Sequence, residues 1–192
     1  MAQSEPPYPV QFSVDYPDQP RDRFTCFFRL LFVIPIGIVI SVVSEAMVIP
    51  PLLLILFRQK YPRWWFDWNV ALLRFESRVS AYFLLLRDEY PSTDEEQSVH
   101  LEISYPDVEA DLNRWLPLVK WILAIPHYVV LVILSLIGFF VLIISWLAIL
   151  VTGRYPHGMF NYVVGVARWY NRVWAYAFIL TTDLYPPFRL SP

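Results

Sequence analysis

The sequence of 192 residues is poor in the residue types from which most catalytic and metal sites are built. It has one cysteine, three histidines and five glycines. A single cysteine forms no internal disulfide, and no histidine stands at metal-ligand spacing from Cys26 or from another histidine. A glycine-rich phosphate loop and a nucleophile elbow are also missing. We therefore predict no catalytic residue, no metal and no cofactor, and we expect that the protein is not an enzyme.

Charge is also scarce in two long stretches of the chain. Glu45 is the only charged residue between Arg29 and Arg58, and no charged residue lies between Lys120 and Arg154. The whole chain is 57% hydrophobic, with a mean hydropathy of +0.44, which exceeds that of an ordinary soluble domain. Long uncharged apolar stretches indicate insertion into a membrane. The net charge of −2 offers no basic surface for nucleic acid, so no nucleic-acid partner is expected.

The chain contains the same series of segments twice. Each series begins with alternating apolar and polar residues, at 10–17 and at 99–106, and continues with an apolar block. A Tyr-Pro and an aromatic-rich stretch with two arginines four apart come next, and a further Tyr-Pro ends the series. The order is identical, which indicates a direct tandem duplication. We assign a first unit to residues 1–91, an acidic linker to 92–97 and a second unit to 98–192.

The alternating segments predict one short strand at the start of each unit. The apolar blocks at 24–57 and 115–151 would be roughly 51 and 55 Å long as helices, whereas a hydrocarbon core is about 30 Å thick. Basic residues flank both ends of each block, which favours two cytoplasmic ends and a helical hairpin in each unit.

The hairpin interpretation also assigns the turns. Glu45 and residues 135–138 would lie near the tips, and Pro50-Pro51 would open the first returning helix. The alternative is one long span preceded by a short interfacial helix, with Pro35 or Pro126 at the elbow.

An amphipathic helix is predicted after each internal Tyr-Pro. Polar residues form one stripe on it, namely Asp67, Arg74 and Arg78 in the first unit and Asn161, Arg168 and Arg172 in the second. The remaining surface is aromatic and aliphatic, which suits a helix lying in the plane of the lipid headgroups, where tryptophan is enriched. The candidates for lipid or partner binding are Arg74, Arg78, Arg168, Arg172, Trp64, Trp65, Trp68, Trp169 and Trp174.

Two interpretations of the four arginines stay open at this point. In the first they bind anionic phospholipid headgroups or the acidic groups of a partner protein. In the second they pair inside the chain, for which the available carboxylates are Asp15, Asp67, Glu76, Glu102 and Asp107. The segments that follow, 81–88 and 175–183, either prolong the amphipathic helix or form a strand beside the first segment of the unit.

Glu45 is the only carboxylate inside an apolar block, and His127 lies in the apolar run of the second block. At mid-membrane they would be candidates for a transport pathway. In the structural interpretation Glu45 is solvated at a hairpin tip and His127 is hydrogen-bonded.

Three motifs characterise the second unit. They are Ile-Pro-His at 125–127, W-x-x-I-L-x-T-G-R-Y-P at 146–156 and D-x-Y-P-P-F at 183–188. In these motifs the unit closely resembles a bacterial membrane domain, the domain of unknown function 4389, over nearly all of residues 99–189. The first unit resembles it more loosely, because Ile36 follows Ile34-Pro35 and Gln59 stands in place of Gly153. The resemblance implies a bacterial integral membrane protein and brings no catalytic residue with it.

These features predict a mainly α integral membrane protein built as a tandem direct repeat. Each unit is expected to have a short strand, an apolar helical hairpin and an amphipathic in-plane helix, and a small β-sheet can form at the membrane surface. We expect the cell inner membrane, with both termini cytoplasmic and, from the polar first residues, no cleavable signal peptide.

The expected function is that of a scaffold, an accessory subunit of a membrane complex or a lipid-organising module. Its partners would be membrane lipids, mainly anionic ones, and another membrane protein. The alternative is a small transporter or channel built from a direct repeat. An enzyme acting on lipid is the third hypothesis.

Overall fold

The fold is mainly helical and contains one two-stranded sheet in the part of the chain that the computed structural model describes, residues 7–43 and 48–192. Glu45 therefore lies outside the described residues. The elements in chain order are β1 (Val10–Val14), α1 (Arg23–Val43), α2 (Ile49–Arg58), α3 (Arg63–Phe83), β2 (Val99–Ile103), α4 (Val108–Asp111), α5 (Pro117–Leu123), α6 (Ile125–Thr152) and α7 (His157–Trp174), and a π-helical turn (Ala175–Ile179) prolongs α7.

Both predicted strands are confirmed, and they pair with each other in an antiparallel sheet. Phe12 lies opposite Leu101, with Val10 opposite Ile103 and Val14 opposite Val99. Successive side chains of a strand point to opposite faces, so the apolar residues of both strands are buried. The polar residues between them form the outer face of the sheet, and most of them are exposed.

The predicted hairpin is wrong in the second unit. α6 is one continuous helix from Ile125 to Thr152, so residues 135–138 lie in its middle and not at a turn. The physical reason is local: Pro126 occupies the first helical turn, where it is tolerated, and Gly153 ends the helix with a φ of 72°. The single Gly138 between them weakens a helix without breaking it. The alternative with a short helix before the proline describes this unit, since α5 precedes α6.

The first unit also departs from a regular hairpin. α1 is 21 residues long and continues through Pro35, whereas α2 has 10 residues, with Pro50 and Pro51 in its first turn as predicted. α2 packs against α5, while α1 packs against α3 and α6. The two helices of the first block therefore do not run along each other as the arms of a hairpin.

The two amphipathic helices form the central layer of the molecule. α7 packs against β1 through the face that carries Phe160 and Arg168, and against α6 through the opposite face, which carries Met159, Tyr162 and Trp169. α3 is placed in the same way between β2 and α1. The sheet thus lies on one side of this layer, and the apolar helices lie on the other.

The outer helices α1 and α6 are both long and apolar enough to cross a membrane. Residues Arg23–Ser41 have a mean hydropathy of 2.2 and Ile125–Thr152 one of 2.9, and only 17% and 11% of these windows are buried inside the protein. Most side chains of these two helices, including many large apolar ones, are therefore not buried inside the protein.

The segments 81–88 and 175–183 prolong the amphipathic helices only in their first residues and form no strand in the described structure. α3 ends at Phe83 and α7 continues into its π-helical turn. Leu85 and Leu180 then adopt the left-handed conformation, each with a φ of 62°. Such a φ is uncommon for a residue with a side chain, and here it turns the chain in both units.

Candidate functional site

Arg74 of α3 and Arg168 of α7 each donate a hydrogen bond to a strand of the sheet that packs on these helices. The Nε of Arg74 donates to the carbonyl oxygen of Leu101 at 2.9 Å, and the Nε of Arg168 donates to that of Phe12 at 2.8 Å. Each arginine thus bonds the strand of the other unit, at the residue pair in the centre of the sheet. Arg168 also donates through Nη1 to the carbonyl oxygen of Leu190 at 2.7 Å.

Arg78 and Arg172 hold segments that follow their own helices. Arg78 donates to the carbonyl oxygen of Ser92 at 2.6 Å, and Arg172 donates to those of Ser191 at 3.1 Å and Arg189 at 3.4 Å. Arg172 is 0% exposed. Its burial, and then the nearby positive charges of Arg168 and Arg189, lower the pKa of Arg172 from its ordinary value.

These contacts match the second interpretation, in which the four arginines bond within the chain, except that the acceptors differ. The observed acceptors are main-chain carbonyl oxygens, whereas that interpretation names carboxylates. Contact of the arginines with anionic lipid stays a prediction.

The five candidate tryptophans fall into three environments. Trp64 and Trp68 are 66% and 48% exposed. Trp65 and Trp174 are half-buried against the core. Trp169 is buried and its indole N–H donates to Nδ1 of His127 at 3.1 Å. Of the five, Trp64 and Trp68 present the largest part of their surface to a lipid or to a partner protein.

His127 belongs to an aromatic cluster at the start of α6. It is 0% exposed, and its ring stacks on Phe188 with centroids 4.0 Å apart. An imidazole that accepts a hydrogen bond at Nδ1 carries its proton at Nε2. These contacts match the structural interpretation of His127, and its role in transport stays a prediction.

One ion-pair cluster that we did not predict lies between α1 and the end of the first unit. Arg21 contacts Asp88 at 3.1 Å, and Arg29 pairs with the same carboxylate. Arg29 also donates to the carbonyl oxygens of Tyr82 and Arg87, each at 2.8 Å. Burial lowers the pKa of Arg21, and the negative charge of Asp88 opposes that shift.

A second cluster occupies the corresponding place in the second unit. The Nζ of Lys120 lies 2.7 Å from Asp183 and donates to the carbonyl oxygen of Thr182, also at 2.7 Å. Lys120 is 0% exposed. Burial lowers the pKa of Lys120, and the bond to Asp183 opposes this shift.

The sequence did carry a signal for these clusters. Arg29 and Lys120 hold the same position in the two units, and Asp88 and Asp183 each stand two residues before the closing Tyr-Pro. The local sequence shows the two cations only as charges flanking an apolar block, because nothing nearby in the chain indicates which carboxylate lies next to them.

Further contacts between the units come in matched pairs. Arg114 donates to the carbonyl oxygen of Phe57 at 2.9 Å, at the C-terminal end of α2. Arg23 donates to that of Val151 at 3.3 Å, near the end of α6. Likewise the hydroxyl of Tyr105 donates to the carbonyl oxygen of Tyr61 at 2.6 Å, and Tyr16 makes the corresponding bond to Tyr155. The two units are therefore joined by reciprocal bonds to helix ends.

The arginines, Lys120, the aspartates and the tyrosines described above form structural hydrogen bonds and ion pairs. Across residues 7–43 and 48–192, no three histidine, cysteine, aspartate or glutamate side chains come together in a way that could hold a metal. The family model for "Domain of unknown function (DUF4389)" matches residues 23–93 and 115–189, which is most of the chain. The chain belongs to this family. No curated protein and no solved structure matches it.

The two DUF4389 matches locate the shared features within the fold. Each match contains the apolar helices, the amphipathic helix and the ion pair of one unit. Both strands lie outside them, since β1 precedes the first match and β2 falls between the two. The resemblance seen in the second unit is thus confirmed, and the first unit belongs to the family as well.

Proposed function

We propose that this protein is a non-catalytic module of the bacterial inner membrane, acting as a scaffold, an accessory subunit or a lipid-organising element. The observation that carries the proposal is the outer surface of α1 and α6. Large apolar side chains are exposed along both helices, among them Leu30 at 70%, Leu136 at 61%, Phe140 at 63% and Val151 at 76%. Monomeric soluble proteins rarely expose contiguous apolar patches beyond a few hundred Å², and a hydrocarbon layer would cover this surface favourably.

An approximate two-fold axis supports one orientation of the molecule in the membrane. Phe12 pairs with Leu101, its counterpart in the other unit. Ser77 donates to Asn171 at 3.2 Å, and these two residues are counterparts as well. A residue that contacts its own counterpart lies beside the axis, so the axis passes through the sheet and then through the layer of α3 and α7.

The polar face of the sheet sets the direction of this axis. Gln11, Ser13, His100 and Glu102 lie on that face, and the acidic linker at 92–97 leads into β2. These groups favour water and the apolar helices on the other side favour hydrocarbon. The axis is then close to the membrane normal.

In this orientation both ends of α6 lie at one depth. Lys120, paired with Asp183, precedes its first turn, and Arg21, paired with Asp88, donates its backbone N–H to Gly153 at its end, at 2.8 Å. Asp88 and Asp183 are counterparts in the two units. Counterparts related by a two-fold axis lie at the same height along it, so the two ends of α6 beside these carboxylates do as well. α6 would therefore lie within one leaflet, with both chain termini on the cytoplasmic side.

Exposed side chains suit the headgroup region around this apolar layer. Trp64 and Trp68 on α3 are joined by Trp115 and Trp121, which are 65% and 53% exposed. Basic side chains are exposed beside the Tyr-Pro steps, including Arg63. They would attract anionic lipids, the lipid partners that we propose.

The test combines vesicle binding with labelling of the full chain. After reconstitution into vesicles of phosphatidylcholine and phosphatidylglycerol, we expect the protein to float with the vesicles after an alkaline carbonate wash. In a Cys26→Ala background, Glu109→Cys and Arg154→Cys lie before and after α6 and should react with an impermeant maleimide from the same side. Loss from the vesicles would refute the membrane proposal, and labelling from opposite sides would refute the in-plane placement.

A further inference from the structure

A cavity of about 710 Å³ lies between α1, α3, α6 and α7. Its volume is within the range of about 300–1,000 Å³ that is typical of small-molecule sites. Gly37 and Ile40 of α1 and Ser135, Gly138 and Phe139 of α6 contribute to its walls. It is therefore bounded in part by the two helices that are most apolar.

The inner wall of the cavity is apolar and buried. Phe12, Leu73, Leu86 and Val163 line it, and each is at most 5% exposed. The lining residues Phe83, Phe139 and Tyr170 are 41%, 59% and 52% exposed and form a rim. Phe139 belongs to the exposed apolar surface of α6, so the mouth of the cavity is continuous with the surface that we place in hydrocarbon.

The polar groups of the lining limit what can bind. Ser77 donates a hydrogen bond to Asn171, and Glu76 is the only charged residue among the lining residues that the structure describes. Within residues 7–43 and 48–192, no lysine, arginine or histidine is part of this lining. A carboxylate or phosphate monoester would find no lysine, arginine or histidine among the described lining residues, and burying an unpaired charge is unfavourable.

We infer that this cavity binds one acyl chain of a zwitterionic or uncharged membrane lipid, an inference that rests on the proposed placement in the membrane. A flexible alkyl chain suits a long apolar wall with few fixed hydrogen-bonding groups. The lipid enters from the leaflet beside α1 and α6 and keeps its headgroup at the rim. The bound chain fills the space on the axis between the two units and joins α1 to α6.

Two glycines allow the cavity to be filled without disturbing the fold. A Cβ added at Gly37 meets no atom within 4 Å, and one added at Gly138 meets only Cε1 of Tyr162, at 3.8 Å. The double variant Gly37→Leu with Gly138→Leu therefore places two side chains in the cavity. Gly158→Leu is the matched control, because this glycine also has free space and is not among the lining residues.

The experiment is native mass spectrometry of the full chain released from dioleoylphosphatidylcholine nanodiscs. We expect the wild type and Gly158→Leu to retain one phosphatidylcholine, and the double variant to retain at least ten-fold less. Oleic acid at the same concentration should not displace the retained lipid. Equal retention by all three proteins, no retention by the wild type, or displacement by oleic acid would each overturn the inference.

Two further measurements keep this test independent of folding and of membrane binding. If the double variant lacks the far-UV circular dichroism of the wild type, Ile40→Trp fills the cavity from α1 alone and takes its place in the same comparison. Vesicle flotation reports on the membrane placement separately. A wild type that floats but retains no lipid refutes the cavity inference only, whereas a wild type that does not float refutes the proposed function.

Discussion

The two apolar blocks are counterparts in the sequence, yet they fold differently. Counted back from the Tyr-Pro that follows each block, Pro50 and Pro51 of the first unit correspond to Ile144 and Ser145 of the second. In the first unit a helix begins at this point, whereas in the second α6 runs through it without interruption. A proline has no N–H to donate and clashes with the preceding helical turn. Pro50 and Pro51 therefore explain why a helix begins at this point in the first unit and continues through it in the second.

The ion pairs differ in a second way. Asp88 is shared by two arginines, which together keep bonds to four main-chain carbonyl oxygens. Asp183 serves Lys120, which keeps one such bond, to Thr182. Equivalent positions in the two units therefore carry the same type of ion pair, but the cations of the first unit make more hydrogen bonds to main-chain carbonyl oxygens than Lys120 does.

The largest loss of stability is expected when the carboxylate of the Lys120–Asp183 pair is removed, because Lys120 keeps only one bond to a main-chain carbonyl oxygen. Asp183→Asn leaves Lys120 buried without a counter-charge, and breaking a buried pair costs about 3–5 kcal/mol. Asp88→Asn should cost less, because its two arginines keep their carbonyl bonds. Denaturant unfolding in detergent micelles measures both, and a larger loss for Asp88→Asn would contradict the comparison.

A proline in the second block should reproduce the break of the first. Ile144→Pro removes a helical hydrogen bond within α6 and should destabilise the protein by about 3 kcal/mol, with a loss of helical circular dichroism. Ile144→Ala separates the effect of the lost side chain. The reciprocal change, Pro50→Ile with Pro51→Ser, should cause no comparable loss, because a first helical turn accepts either kind of residue. Unchanged helicity in Ile144→Pro would count against this explanation.

The strand-holding arginines should also differ between the units. Arg168→Met removes two hydrogen bonds to carbonyl oxygens and Arg74→Met removes one. A hydrogen bond to a charged group contributes about 1.5–3 kcal/mol, so we expect the larger loss of thermal stability for Arg168→Met. Flotation with anionic vesicles distinguishes the lipid interpretation: unchanged stability together with lost vesicle binding would show that these arginines bind lipid.

The smallest expected effect is a dependence on pH that only the first unit has. Burial alone would raise the pKa of Glu89, but hydrogen bonds from Arg87 and Ser98 outweigh it, and the pKa lies below its ordinary value of 4.5. A carboxyl with a lowered folded pKa stabilises the fold above its unfolded pKa, and this contribution is lost as the pH falls through the folded pKa.

The second unit has Leu184 at the position of Glu89 and cannot show this dependence. Since Glu89 is partly exposed, we expect less than about 1 kcal/mol. The protection of the Ser98 amide against hydrogen exchange, taken relative to the intrinsic exchange rate at each pH, should fall on acidification in the wild type and stay constant in Glu89→Gln. An identical acid response in both proteins would assign the effect to another carboxyl.

The sequence was informative wherever the deciding interactions are local. Alternating residues predicted both strands, the polar stripes predicted α3 and α7, and Pro50-Pro51 predicted the start of α2. It misled us at α6, where basic residues at both ends of an apolar block suggested a hairpin. Those charges reflect a feature of the tertiary structure, since Lys120 and Arg154 flank a helix whose two ends return to the same folded layer.

The candidate site shows the same limit. Spacing placed Arg74 and Arg168 on one face of their helices, but could not show that each would bond a strand of the other unit. The ion pairs of Arg29 and Lys120 were missed for the same reason, because each partner lies about sixty residues further along the chain.

The sequence by itself determined the family, the two strands, the amphipathic helices and the positions of the two apolar blocks, because periodicity, charge and proline act over a few residues. Only the tertiary structure decided that the strands of different units pair, that the stripe arginines bond carbonyl oxygens across the units, and that a cavity remains on the axis between them. Those outcomes depend on which distant surfaces bury each other, and burial is a property of the packed chain.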